Sequence, residues 1–324
     1  MSNIPLHFTP AKRESCKAAI VIEGLSGWGK TGLALIIAYT LADQNWNKTF
    51  LIDTESRSAL LTEGTASNLQ IPFGAFQHGD LSTDIGFAPS NYLAYRKLAV
   101  QQGALAVIQD SISHAWNYKG GVLDLVTQAK AGSARYAKDS YAAWGDETVV
   151  VAKNQLLELI RDSKVHVIST VRLKERFEYA ADADGKSKLI SLGDTQIQQA
   201  DLKYEPDLVL HMLRPGENKA GHIVHPRVLV IKSRYDIFQK DAEYDITPTL
   251  LEQLRAYLAE GVDPAVLLEQ QRLEWVEAVT LYLDEHPNAR PIWTVLKADM
   301  GHGETKLSDL PLVILKAAYI KLTS

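Results

Sequence analysis

The stretch with the clearest chemistry is Gly24-Leu25-Ser26-Gly27-Trp28-Gly29-Lys30-Thr31. It fits G-x-x-x-x-G-K-[ST], the phosphate-binding P-loop pattern. Glycines at 24, 27, 29 and 32, with Ser26 between them, let backbone N–H groups curl around phosphate oxygens with no Cβ in the way. A helix that starts behind such a loop adds a partial positive charge. In this pattern Lys30 reaches the β- and γ-phosphates of ATP, and the Thr31 hydroxyl ligates Mg²⁺. The competing reading is a chance glycine-rich turn. The flanks oppose it: Ala18 to Ile22 reads as a buried strand and Gly32 to Ala42 as a buried helix, the strand–loop–helix order that the chemistry needs.

Two carboxylates can complete such a site. Asp110 ends the apolar run Ala104 to Ile108, where it can hold the Mg²⁺ shell beside Thr31. Gln109 interrupts that run, and an ordinary strand-end Asp is the bland alternative. The next residue is Ser111, so no Glu follows directly to activate water. Glu55 lies just past a second strand, Lys48 to Asp53, and can orient a water for in-line attack on the γ-phosphate. A solvated loop acid is the equal alternative on pattern alone.

The remaining elements must hold these residues together. Ser90 to Gln102 and Val149 to Arg161 have helical spacing, and residues 63–90 read as irregular structure around a short strand. A further strand is predicted at Val165–Val171, followed by a polar, loop-like stretch over 173–203, and two more strands at Tyr204–Leu213 and Arg227–Ile231. Strands alternating with helices predict an α/β fold, with a mostly parallel sheet covered on both faces. Thr247-Pro248 marks a boundary, after which only helical patterns follow, at 248–260, 264–285 and about 306–322. The expected organisation is a lead-in at 1–17, a nucleotide-binding domain at 18–247 and a small helical module at 248–324.

Composition sets outer bounds. The chain has 324 residues, a formal net charge of −5 and 46% hydrophobic residues, as an ordinary soluble globular protein does. With no basic excess, nucleic-acid binding would need a local patch. The single Cys16 excludes an intramolecular disulfide and cysteine-rich metal sites, and fits a reducing compartment. Residues 1–17 show no signal-peptide pattern and no apolar run is long enough to span a bilayer, so a cytoplasmic protein is expected. There is no H-E-x-x-H, no G-x-S-x-G and no cysteine pair for zinc.

Phe50-Leu51-Ile52-Asp53-Thr54-Glu55 resembles the strand end of RecA-type recombinases that carries the catalytic glutamate. Val107-Ile108-Gln109-Asp110-Ser111 is similar to the magnesium-binding strand of that family, which also ends in Asp-Ser. Val167 to Lys174 matches the next RecA strand, with a polar sensor followed by Arg and Lys; the sensor position here is Thr170, where RecA has Gln. Val230-Ile231-Lys232-Ser233-Arg234 resembles the lysine pair that reaches a neighbouring subunit's ATP. Lys232 and Arg234 alternate along a strand end and so share a side. The resemblance covers about residues 18–240. In size and layout the chain looks most like short phage-encoded RecA-like ATPases, which accompany single-strand annealing proteins. It implies a homo-oligomer, ring or filament, in the host cytoplasm if phage-encoded. It further implies ATP- and Mg²⁺-dependent binding to single-stranded DNA in recombination or repair, with an annealing or single-strand-binding protein as a further partner.

In RecA-like proteins two loops bind DNA. Here they fall at about 117–147 and 173–203. The first holds Lys119, Lys130, Arg135 and Lys138 with Tyr118, Tyr136, Tyr141 and Trp144, and cations among aromatic rings suit a single strand. The second, entered past Arg172, holds Lys174, Arg176, Lys186, Lys188 and Lys203 against six acids, and this nearly balanced charge predicts little counterion release. DNA binding therefore rests more on the resemblance than on the residues. A nucleotide-dependent switch or loader, acting on a protein partner through the C-terminal helices, is the alternative. A small-molecule kinase is disfavoured because no Arg-rich lid is evident.

Overall fold

The computed structural model describes residues 13–81, 85–138, 141–162, 164–181, 187–198, 200–215 and 225–323. The chain forms two compact units, Lys17–Leu258 and Met1–Cys16 with Ala259–Ser324.

The larger unit is built on β1 (Ala19–Gly24), α1 (Lys30–Leu41), β2 (Thr49–Asp53), β3 (Gln77–Asp80), α2 (Pro89–Gln101) and β4 (Ala106–Asp110). Next come short α3 (Ser113–Asn117), α4 (Val122–Gly132), α5 (Ala134–Lys138) and α6 (Glu147–Glu158). The strands β5 (His166–Ala181), β6 (Ser187–Gln196), β7 (Leu208–Met212), β8 (Arg227–Ser233) and β9 (Glu243–Asp245) follow, then α7 (Pro248–Ala259). The sheet order is β3-β2-β4-β5-β1-β7-β8-β9, with β6 paired to β5 outside this path. From β3 to β7 every neighbouring pair is parallel, while β8 and β9 close the edge antiparallel. The fold is thus α/β with a mostly parallel sheet, as the alternation of strands and helices requires.

Each central strand feeds two cores, because side chains alternate between faces. Ile20 and Ile22 of β1, with Ala106 and Ile108 of β4, pack into the core that holds α1 and the Leu251, Leu254 and Leu258 stripe of α7. Ala19 and Val21, with Val107, pack into the opposite core with Tyr92 of α2 and Val149, Ala152 and Leu156 of α6. Helix α1 is apolar nearly all round and is buried accordingly. Gln109, which breaks the apolar run of β4, is wholly buried; its amide donates to Leu159 O at 2.7 Å, and Arg96 donates to the same carbonyl at 2.8 Å. The two side chains thereby satisfy carbonyls that the end of α6 leaves open.

Two sequence expectations change here. Among the described residues of the stretch 173–203, β5 runs on to Ala181 and pairs antiparallel with β6, so these are strands where a loop is expected. Nor does the compact unit end at Thr247. Pro248 is the first residue of α7, where proline costs a helix nothing, and the apolar stripe of α7 belongs to the core of the sheet.

The smaller unit has its own core of Val279, Leu283, Trp293, Leu310, Leu315 and Ala318. It is formed by α8 (Pro264–Glu285), α9 (Arg290–Asp299), which the sequence reading misses, and α10 (Leu312–Thr323). Tyr319 packs edge-on against Trp275 and Tyr282, each at 5.5 Å. In the lead-in, Arg13 to Ser15 run beside Val262: Val262 N donates to Arg13 O and Ser15 N to Val262 O. Residues 1–12 of that lead-in lie outside the described residues. Among the described residues, no helix is long and apolar enough to cross a membrane.

Candidate functional site

Five parallel strands deliver side chains to one edge of the sheet. The carboxyl edge of an open parallel sheet is where ligands bind in such folds. Gly24 ends β1, and a Cβ there would come within 2.9 Å of the Met212 Cβ on β7. Gly29 adopts a φ of 88° as it turns the chain into α1, a conformation that favours glycine. No side chain caps α1, so its first N–H groups face the loop that precedes them. Lys30 is buried and folds back over this loop, donating from Nζ to Gly24 O at 3.0 Å and Leu25 O at 2.9 Å. Burial pulls its ammonium below the usual lysine range, and the negative charges of Glu55 and Asp110 push back.

Thr31 stands in the first turn of α1. Its hydroxyl donates to Asp110 Oδ2 at 2.5 Å. The other carboxylate oxygen, Oδ1, accepts from the Thr170 hydroxyl on β5. Strand parity explains the convergence: Asp110 lies two residues beyond Ile108, and Thr170 two beyond Ile168, so both face α1. Burial, with the charge of Glu55 nearby, pushes the Asp110 carboxyl up to about 6, against the pull of the Thr170 and Thr31 hydrogen bonds. The resemblance implies Thr170 as a sensor of the γ-phosphate. The structure gives its buried hydroxyl to Asp110 instead, and Thr170 does not line the cleft.

Glu55 follows β2. Its carboxylate receives the Arg172 Nε–H at 2.9 Å, and its own N–H donates to Asp53 Oδ1 at 2.6 Å. Arg172, expected at the entrance to a DNA-binding loop, is therefore part of this site: it lies two residues beyond Thr170 on the same face of β5. Thr54 sits beneath, its hydroxyl bonded to Asp110 O at 2.9 Å and close to His114 Nδ1 at 2.5 Å. Burial, reinforced by the Arg172 charge, lowers the His114 imidazole to about 4, so it is neutral at pH 7.

Lys30, Thr31, Glu55 and Arg172 border a cleft of about 670 Å³, within the range of small-ligand sites. Ser26 through Leu33, Glu55 and Arg172 form its polar side, and Ile36, Leu69, Phe73 and Met212 its apolar side. Among the described residues, no group of three or more His, Cys, Asp or Glu could hold a metal. Mg²⁺ does not need one, since it keeps several waters and takes few protein oxygens besides phosphate. The Thr31 hydroxyl and the Asp110 carboxylate behind it are a hard-oxygen pair that fits this cation. The apolar walls and the aliphatic residues at 197 and 212–213 carried no signal in the sequence, because they reach the cleft only through the sheet order.

Lys232 and Arg234 are not brought to this edge. Ser233 and Lys232 pair with Leu208 and Val209, and these stand level with Ile20 and Val21, about 10 Å before Gly24 along β1. There Lys232 Nζ donates to Lys203 O and Tyr204 O at 3.1 and 2.7 Å. Arg234 donates to Asp207 Oδ1 at 2.9 Å, a carboxylate oxygen that also accepts from Arg161 at 2.7 Å.

The two expected DNA-binding segments differ from each other. In the first, Lys119 and Arg135 are exposed and Lys130 is half-buried. Tyr118 and Tyr141 are exposed, but Tyr136 and Trp144 are packed against the core, Trp144 stacking on Trp116 at 6.1 Å. Only part of the aromatic set is thus exposed, and Tyr118 packs edge-on against His114 at 4.2 Å. In the second, Lys174 is exposed. Lys186 lies outside the described residues, as do the side chains of Lys138, Arg176 and Lys188. No protein-family model matches the chain, and no curated protein is significantly similar to it in sequence.

Proposed function

We propose that the chain is a magnesium-dependent ATPase of the RecA-like P-loop type that assembles into a ring or filament on single-stranded DNA and serves phage-type recombination, annealing or repair. One observation carries the reading: Lys30, the Thr31–Asp110 pair and Glu55 converge on one cleft behind a glycine-rich loop. Each has a task in phosphoryl transfer. The loop N–H groups and Lys30 neutralise phosphate oxygens. Thr31 and Asp110 would hold Mg²⁺ through its water shell, and the cation would supply charge neutralisation at the phosphates. Glu55 orients the attacking water, and Lys232 and Arg234, too far from their own cleft, supply positive charge to a neighbour's. Exposed Lys119, Arg135, Tyr118 and Tyr141 support a contact with a single strand through phosphates and stacked bases.

A second reading has its own support. The C-terminal unit is separately cored and exposes Leu268, Leu281, Ile292 and Val295, as a docking module for a protein partner would. In that case the chain is a nucleotide-dependent switch or loader.

The ATPase rate, measured with and without single-stranded DNA across salt and protein concentration, separates the readings. Stimulation that falls with salt and rises steeply with protein concentration is the result expected of a DNA-assembled ATPase. Hydrolysis indifferent to DNA favours the switch, and absence of magnesium-dependent hydrolysis contradicts both.

A further inference from the structure

We infer that Arg172 is the group that tells a nucleoside triphosphate from a diphosphate, by exchanging its ion pair with Glu55 for the terminal phosphate. The inference rests on the nucleotide-binding reading above and deepens it.

Arg172 and Glu55 face each other across the cleft, joined by a single Nε–H···Oε1 bond of 2.9 Å. Their side chains are 34% and 24% exposed, so the pair is wetted and an exchange of partner is not opposed by a dry surround. Arg172 is anchored from behind: its backbone N–H donates to Ser113 Oγ at 2.9 Å, and its guanidinium is also hydrogen-bonded to Tyr118. The backbone bond fixes the root of the side chain, and turning the head toward phosphate exchanges the Glu55 and Tyr118 contacts. Lys30 feels the Arg172 charge, which places the guanidinium within electrostatic reach of whatever Lys30 holds.

The competition has a definite direction. A carboxylate offers one negative charge; a terminal phosphate offers close to two and three acceptor oxygens, so the Coulomb attraction is roughly doubled. A guanidinium carries five donors in a planar fork, suited to phosphate oxygens. The loop N–H groups serve phosphates common to both nucleotides, while Lys30 spans the β- and γ-phosphates. On the proposed reading Glu55 orients a water at the γ-phosphate, so the guanidinium paired with Glu55 stands on the side of that phosphate. While Arg172 holds Glu55, one oxygen of that carboxylate is occupied; once Arg172 turns to phosphate, both are free to accept from a water. Binding of the correct ligand thus unmasks the residue that acts on it.

The test is calorimetric affinity of the full chain, with Mg²⁺, for ADP and for a non-hydrolysable ATP analogue. Arg172→Ala is expected to weaken the triphosphate analogue about tenfold or more, the scale of one lost charged hydrogen bond, and to leave ADP unchanged. Arg172→Lys should recover part of the loss. Glu55→Gln, which removes the competing charge without touching Arg172, should raise the triphosphate-to-diphosphate preference severalfold, and this arm remains decisive if Arg172→Ala does not fold. An unchanged preference in Glu55→Gln, or a loss of both nucleotides together in a folded Arg172→Ala, overturns the inference alone. A wild-type chain that binds neither nucleotide overturns the reading beneath it as well.

Discussion

The two ends of the parallel strands are built on opposite plans. At the carboxyl edge, Lys30 and Arg172 meet Glu55 and Asp110, and nearly every charge has its counter-charge within the same cleft. At the amino edge, Arg161, Arg234 and Lys232 gather about Asp207, with Glu205 the second carboxylate acting on them and backbone carbonyls of Lys203 and Tyr204 accepting from Lys232. The first edge is finished in the sense that its own residues balance one another's charge. The second carries surplus positive charge, which gains most when an anion is brought to it from outside the chain. Under the proposed function, a cleft at one end of the strands and these cations at the other suit head-to-tail assembly.

The sharpest way to break this contrast is at the finished edge. Lys30→Ala should lower ATP turnover by about a thousandfold, the scale of a lost phosphate-stabilising charge; steady-state phosphate release checks it, and unchanged turnover contradicts the account. Glu55→Gln should still bind ATP but turn over about a hundredfold more slowly, as expected for a lost water-orienting base. Full activity in that variant moves the base elsewhere. Arg234→Ala tests the other edge. It should leave nucleotide affinity at low protein concentration unchanged and reduce turnover about tenfold only where the wild type assembles. Mixing it with Glu55→Gln should restore activity, because each variant supplies what the other lacks.

The smallest effect concerns stability at the amino edge. His166 accepts the Ala18 N–H at Nδ1 with a 3.0 Å bond, and burial lowers its imidazole to about 3. A histidine held below its unfolded value of about 6.5 stabilises the fold above that pH and loses the contribution as pH falls toward the folded value. Between pH 7 and pH 5 this amounts to about 2 kcal/mol at ~1.4 kcal/mol per pH unit. His166→Gln should flatten that part of the pH dependence in urea unfolding, and an identical slope contradicts it.

Much of the finished edge is legible in the sequence because its chemistry fixes local spacing. The loop, Lys30 and Thr31 are contiguous, and Asp110 and Glu55 each end a recognisable apolar strand. Arg172 is misplaced by sequence reasoning for a different reason. It follows Thr170 in what reads as a polar loop, whereas β5 continues as a strand and parity carries Arg172 to the same face as Thr170. The hairpin's apolar alternation, Leu173, Phe177 and Tyr179, is broken at Glu175 and set among charges, and β3, a short strand of Gln77-His78-Gly79-Asp80, has none. The boundary at Thr247 fails because proline signals a helix start as readily as a break. Which unit a helix joins depends on where its apolar stripe packs, and that is a tertiary fact.

The central claim is that the cleft binds and hydrolyses a magnesium–triphosphate. It is tested most directly by phosphate release from ATP in the wild type and in Asp110→Asn, across a Mg²⁺ titration. Asp110→Asn removes the charge proposed to hold the cation's shell and keeps one acceptor oxygen, for Thr31 or Thr170, while the other hydroxyl can accept from the new amide. Hydrolysis by the wild type that requires Mg²⁺, with a shift of the requirement to tenfold or more higher Mg²⁺ in Asp110→Asn, is the predicted result. Hydrolysis with the same magnesium dependence in both proteins, or none in either, would contradict it.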